Sequence, residues 1–172
     1  MLQVGSAKLS DAEARSHFAA WCISSAPLIL GYDLTDAADS ARAQPIVGNT
    51  RAIGVNQAWH GSAGHVLSAS SQTFNASAHQ GAGDGSGRHV QLPLWQVWTK
   101  PLAADRAALL LLNIGPSAAD ITAPLSALEI GEGIALSDVW TGKAVPHSGD
   151  SYTAKAIPAH GSVFLLAEAK KG

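Results

Sequence analysis

An α/β segment built like the last helix-strand units of a TIM-type β/α barrel, followed by an antiparallel β-sandwich, is the fold class this sequence predicts. Three observations carry it. Residues 10–34, SDAEARSHFAAWCISSAPLILGYDL, read as one helix running into one short apolar strand. From Val66 onward the chain changes to short β-type runs separated by Gly, Pro, Ser and Asp. Between the two, residues 58–65, AWHGSAGH, are small and turn-forming, which places the boundary there. The expected domains are 1–60, the end of a barrel, and 61–172, the sandwich.

Ser10 and Glu13 have the S-x-x-E spacing of a capping box and mark the helix start. Ala14, Phe18, Trp21, Cys22 and Ser25 then recur at intervals of three and four, on one helix face. Pro27 disfavours helix at Ala26, and the run Leu28-Ile29-Leu30 shows no polar alternation. It is predicted to be a parallel strand covered on both faces. No neighbour for it is evident in the chain, so the other strands are expected from sequence before Met1, and the chain is expected to be the end of a larger protein. Asp36 to Ala43 is predicted as a short helix that Pro45 ends.

The predicted sandwich strands lie in Val66–Phe74, Val90–Lys100, Ala107–Ile114, Ile134–Trp140 and Ser162–Ala167, within a total of about six to eight. Ala108–Leu112, five apolar residues in a row, has no solvent face and is assigned as the central strand. Residues 76–89, ASAHQGAGDGSGRH, read as a mobile glycine-rich loop.

Composition narrows the function classes. Hydrophobic residues make up 47% of the 172 and suffice for a core, while charged residues are only 14%, against about 25% in soluble domains generally. A net charge of −2 and a pI near 6.4 leave no electrostatic footprint for nucleic acid, so a nucleic-acid partner is not expected. No run approaches the ~20 apolar residues of a membrane span, and the N-terminus lacks the pattern of a signal peptide. The single cysteine, Cys22, is predicted to be a buried thiol. Asn75-Ala76-Ser77 is a sequon, so Asn75 is a possible glycosylation site in a chain that meets the secretory pathway.

Signals for catalysis within the chain are sparse. The seven histidines are scattered; His60 and His65 share a glycine-rich loop without a nearby carboxylate or cysteine, so no metal and no cofactor are expected. Gly-Asp-Gly-Ser-Gly at 83–87 has neither the preceding strand of a nucleophile elbow nor the following helix of a phosphate loop. Trp95 and Trp98 are assigned to the core rather than to a sugar-stacking platform. Asp33 falls just past the C-terminal end of the apolar strand, at the rim where barrel active sites are built; its first reading is structural, accepting hydrogen bonds in the loop, and its second is shaping the pocket.

The segments MLQVG, LSDAEARSHFAAWCISSAPLILGYDL, AIGVNQ and VWTKPL, in that order, resemble the C-terminal part of glycoside hydrolase family 27, the α-galactosidases. The resemblance covers almost the whole chain. It implies a retaining glycosidase that cleaves terminal α-linked galactose through two aspartates, a pair that stands about 5 Å apart. Both catalytic aspartates of the family precede the Met-Leu motif, so none is assigned in this chain, which alone is expected to be inactive. Tyr32-Asp33 lacks the lysine of the family's Lys-Tyr-Asp nucleophile motif and is not assigned that role. Met1 matches a methionine that lines the sugar pocket, and with Asp33 it forms the substrate-binding set implied for a complete enzyme. Implied partners are α-galactoside sugars, often with homo-oligomeric assembly, and the implied location is secreted or lysosomal/vacuolar. The alternatives are a non-catalytic β-sandwich that binds carbohydrate or a partner, and a non-functional remnant. Gly-Ser-Ala-Lys at 5–8 and Ala58-Trp59-His60 depart from the family pattern.

Overall fold

The computed structural model describes residues 1–78 and 88–170. Three helices come first: α1 (Asp11–Ile23), α2 (Ala37–Val47) and α3 (Thr50–Gln57). Ten strands follow: β1 (His65–Ala69), β2 (Thr73–Ala78), β3 (Arg88–Pro93), β4 (Trp95–Ala103), β5 (Arg106–Asn113), β6 (Ala119–Pro124), β7 (Ile134–Asp138), β8 (Ala144–Val145), β9 (Ser151–Ile157) and β10 (Ser162–Ala169). A six-stranded sheet in the order β1-β4-β5-β10-β7-β8 is the central layer, and every named pair in it is antiparallel. β6 pairs with β9, and β2 with β3.

Both faces of the central sheet are covered, and β5 shows why five apolar residues in a row were needed. Successive side chains point to opposite faces of a strand. Ala107, Leu109 and Leu111 pack with Ile121, Ala123, Ala154 and Ile157 of the β6-β9 layer. Ala108 and Leu110 pack with Phe18, Ala19 and Cys22 of α1. Its neighbour β10 does the same, with Phe164 toward the helices and Leu165 and Ala167 toward β6-β9.

The N-terminus of α1 forms as its spacing requires. Ser10 Oγ accepts the Glu13 N–H at 3.3 Å, and Glu13 Oε2 accepts the Ser10 N–H at 2.9 Å. The Ser10 N–H first, and then the Ser10 hydroxyl, which donates to the same Oε2 at 2.8 Å, hold the Glu13 carboxyl below its usual pKa. Ala14, Phe18 and Cys22 form the buried face. Phe18 meets Trp140, which meets Phe164, at ring separations of 6.4 and 6.0 Å. Trp21 is half-buried, and Ser25 lies beyond the helix at a φ of 56°.

Several expectations are corrected. Leu28–Leu30 is not covered on both faces: it makes one parallel bridge, Leu2 to Leu30, and Ile29 is 55% exposed. A neighbour does exist in the chain, since Leu2 N–H donates to Ile29 O at 2.7 Å and Gly31 N–H donates to Leu2 O at 2.9 Å. The approach is so close that a Cβ at Gly31 would stand 2.7 Å from Leu2 O. The second helix does not stop before Pro45 but contains it. Burial of Ala43 and Ile46 in the core outweighs the one intrahelical bond that Pro45 cannot donate. Two predicted strands are each split, at Ser70–Gln72 and at Leu94, while β6, the two-residue β8 and β9 lie outside the predicted runs. In β6 and β9 small or polar side chains dilute the period-two signal: in β6 only Ile121 and Ala123 are buried, alternating with exposed Asp120 and Thr122. Of the predicted loop, Ala76–Ala78 and Arg88–His89 lie in strands; His79 and the glycine run 83–87 fall outside the described residues.

Helices and sheet are joined by polar side chains that end helices. Asn56 Nδ2 donates to Trp21 O at 3.2 Å and to Ala26 O at 2.9 Å, closing the end of α1. Lys100, fully buried on β4, donates from Nζ to Val55 O at 2.5 Å and Asn56 O at 3.0 Å, closing the end of α3. The last carbonyls of a helix lack intrahelical partners and carry partial negative charge, so a cation is the favoured cap. Burial pushes the Lys100 pKa down, and pushes the neighbouring Cys22 thiol up to about 12. The N-terminal segment is held in turn by His17, whose Nε2 accepts the Gln3 N–H at 3.2 Å. That bond requires an unprotonated Nε2, and burial, aided by the charged N-terminus, lowers the His17 pKa.

Three outcomes are expected. Lys100→Met keeps the apolar stem but strands two buried carbonyls, and should lower unfolding stability in urea by about 3 kcal/mol; an unchanged midpoint would show that the cap contributes nothing. For His17, the unfolded chain takes up its proton near pH 6.5 while the folded chain still resists it. Stability should therefore fall as pH drops below 6.5, and less so in His17→Gln, whose amide oxygen can accept from Gln3 without titrating. Cys22 should resist iodoacetamide at pH 9 in the folded chain and react on unfolding; rapid alkylation of folded protein would contradict its burial.

Candidate functional site

The N-terminal strand and the segment Leu28–Asp33 build one edge, and both predicted substrate-binding residues lie on it. The bridge from Leu2 to Leu30 sets Met1 alongside the strand that leads into Asp33. The edge is apolar and uncovered, with Met1 67%, Ile29 55%, Leu30 37% and Leu34 65% exposed.

Asp33 is itself exposed, in a turn of its own making. Its Oδ1 accepts the Thr35 N–H at 2.8 Å and the Thr35 hydroxyl at 2.7 Å, and its carbonyl accepts the Asp36 N–H at 3.2 Å. The Thr35 hydroxyl first, and then the Thr35 N–H, hold the Asp33 carboxyl below the usual carboxylate range. Asp33 is thus ionised at neutral pH and able to accept a hydroxyl proton in a hydrogen bond, but not to donate one. The neighbouring acids are engaged elsewhere. Asp36 caps α2 by accepting from Ala38 N–H and Asp39 N–H, and Asp39 pairs with Arg42.

Other candidates from the sequence are dispersed. Asn75 is exposed on β2, opposite Gln91. His60 bridges to Ser62 in the segment before β1, and His160 sits at a φ of 58° in the turn between β9 and β10. Among the described residues no group of three His, Cys, Asp or Glu side chains gathers in a metal-binding arrangement. Trp95 and Trp98 serve opposite faces of the central sheet. Trp95 packs on the β6-β9 core, and Trp98 packs on the helix-side core with Nε1 donating to Gln96 Oε1 at 2.9 Å.

Sequence reasoning missed Lys100, whose burial nothing local announced, and two concavities. One, of about 260 Å³, is almost wholly apolar and lies between the end of α1 and the sheet, with Trp21, Trp98 and Leu110 in its wall. The other, of about 640 Å³, lies on the sandwich around Glu132, His147 and Asp150. Only the turn glycines that ring the second were visible in sequence.

Comparison with known proteins places this geometry. The family described as "Alpha galactosidase C-terminal beta sandwich domain" matches residues 94–167. The chain is 29% identical to an alpha-galactosidase of Oryza sativa over 168 residues, covering 96% of this chain and 34% of that protein. It is 34% identical to an alpha-galactosidase of Coffea arabica over 123 residues, covering 72% of this chain and 26% of the relative. In structure it is similar to alpha-galactosidase I from Mortierella vinacea, with a TM-score of 0.73 and 25% identity over 99% of this chain and 38% of that one. The chain therefore spans about a third or less of the length of these curated relatives. On the profile match, the relatives aligned along nearly the whole chain and the similar fold, residues 94–167 match the C-terminal β-sandwich domain of the α-galactosidases, and the chain as a whole resembles the C-terminal part of those proteins.

Proposed function

We propose that this chain is the C-terminal part of an α-galactosidase-like retaining glycoside hydrolase acting on terminal α-linked galactose. In this reading residues 1–60 complete a β/α barrel and 61–172 form the sandwich that braces it. The observation that carries the reading is the parallel Leu2–Leu30 bridge, beside which Ile29 and Leu34 remain more than half exposed. Parallel strands are found in sheets covered on both faces, so a bare pair of this kind calls for further strands. The relatives, about three times as long, supply a source for them.

Within a complete barrel, Met1 and Asp33 lie on the rim of the sugar pocket. Met1 offers an apolar, polarisable contact to a sugar face, and the Asp33 carboxylate accepts from a sugar hydroxyl. Neither performs the displacement. A retaining reaction needs a nucleophilic carboxylate and an acid/base carboxylate about 5 Å apart, and both are assigned to sequence upstream of Met1. The isolated chain then has no glycosidase activity.

Purified chain should leave a chromogenic α-galactoside uncut above the no-protein blank. Protein-dependent turnover that disappears in Asp33→Ala would overturn the assignment. The native gene product should show an intact mass well above 17.6 kDa, and a native product of that mass alone would remove the enzyme from the reading.

A further inference from the structure

The cleft of about 640 Å³ on the sandwich shares no residue with the Met1–Asp33 edge. Its walls come from four places in the chain: the 3₁₀ turn Leu125–Leu128, the turn that enters β7, the loop that enters β9, and Lys170 after β10. Hydrogen bonds fix these walls to one another. Leu125 N–H donates to Asp150 O at 2.8 Å, Lys170 N–H donates to Gly133 O at 3.2 Å, and His147 Nε2 lies 2.8 Å from Ile134 O. A site whose walls are already tied together need not be ordered by its ligand, which removes part of the cost of binding.

Gly131 and Gly149 line the cleft at φ values of 110° and 69°, which L side chains rarely adopt, and a Cβ at Gly149 would meet nothing within 4 Å. The polar groups around this space are unspent. Glu132, Asp150 and Lys170 form no salt bridge among the described residues, and Ser126 adds a hydroxyl.

The kind of ligand follows from that set. Two carboxylates oppose an anion, and the ammonium that lines the same cleft opposes a cation. A wall of mixed donors and acceptors does not suit an apolar body. An uncharged polyhydroxylated molecule satisfies all of these groups at once, because vicinal hydroxyls donate to carboxylates and accept from an ammonium. The volume falls within the roughly 300–1,000 Å³ of ligand sites. We propose that the sandwich carries a carbohydrate site of its own here, in which Glu132 and Asp150 accept from the hydroxyls of a neutral pyranoside while Lys170 and Ser126 donate to it. The proposal does not depend on the glycosidase reading, since it requires binding and no turnover.

The test is amide NMR of the full chain titrated with methyl α-D-galactopyranoside and, in parallel, with sodium sulfate. The sugar should move the Gly131, Gly133 and Gly149 amides saturably, and Glu132→Gln and Asp150→Asn should each weaken its binding by about tenfold. Spectra of the variants that otherwise superpose on the parent separate lost binding from lost fold. The site is overturned if the sugar leaves these amides in place, if both variants bind as the parent does, or if sulfate moves the amides instead.

Discussion

A buried lysine at the end of a helix is the interaction on which the architecture depends. Lys100 leaves the central sheet and places its ammonium on the last carbonyls of α3, at Val55 and Asn56. Asn56 in turn reaches back to close the end of α1. Each helix end would otherwise bury carbonyls without donors, which costs about 1–3 kcal/mol per group. The polar links are therefore directional where the apolar contacts are not. Packing alone would let the helices slide over Ala108, Leu110 and Phe164; the two caps fix where they sit. The segments AIGVNQ and VWTKPL, far apart in the chain, are held together by these bonds.

What could be read from sequence was what local geometry decides. The capping box of Ser10 and Glu13 needs only four residues to form, and both of its backbone bonds are present. The apolar run in β5 was readable because both of its faces are covered, a condition that leaves no other pattern. Beyond that range the signal fails for identifiable reasons. Pro45 argues for a helix end, but burial of Ile46 overrides it. β9 was missed because its strand, SYTAKAI, buries only Ala154 and Ile157. The candidate site was legible in part: Met1 came from a family motif and Asp33 from its place after an apolar run, where its role as a hydrogen-bond acceptor in the loop was readable though its partner Thr35 was not. The sandwich cleft could not be found, since its four walls are distant in sequence and meet only through folding.

The same sheet explains how one chain can hold two kinds of surface. Where both partners are present, apolar side chains are buried: β5 and β10 have a helical layer on one side and the β6-β9 layer on the other. Where a partner is lacking, they are bare, as at Met1, Ile29 and Leu34. Exposed apolar residues scattered singly need no explanation, but a group along one parallel bridge does. They lie along the Leu2–Leu30 bridge and beside the turn in which Asp33 faces solvent.

The two expected segments also share a core. Leu2, Val4, Phe18, Cys22 and Val55 from the first pack in one cluster with Ala108, Leu110, Val139 and Phe164 from the second. A boundary in sequence near residue 60 is thus not a boundary in packing. Separating the segments would expose the helix-facing side of β5 and β10 and leave Lys100 charged against no carbonyl. The sandwich has one intrinsic layer, β6-β9, and borrows the other from the helices. That borrowing gives the helical segment its structural value. It fixes the orientation of the edge carrying Met1 and Asp33 against the six-stranded sheet.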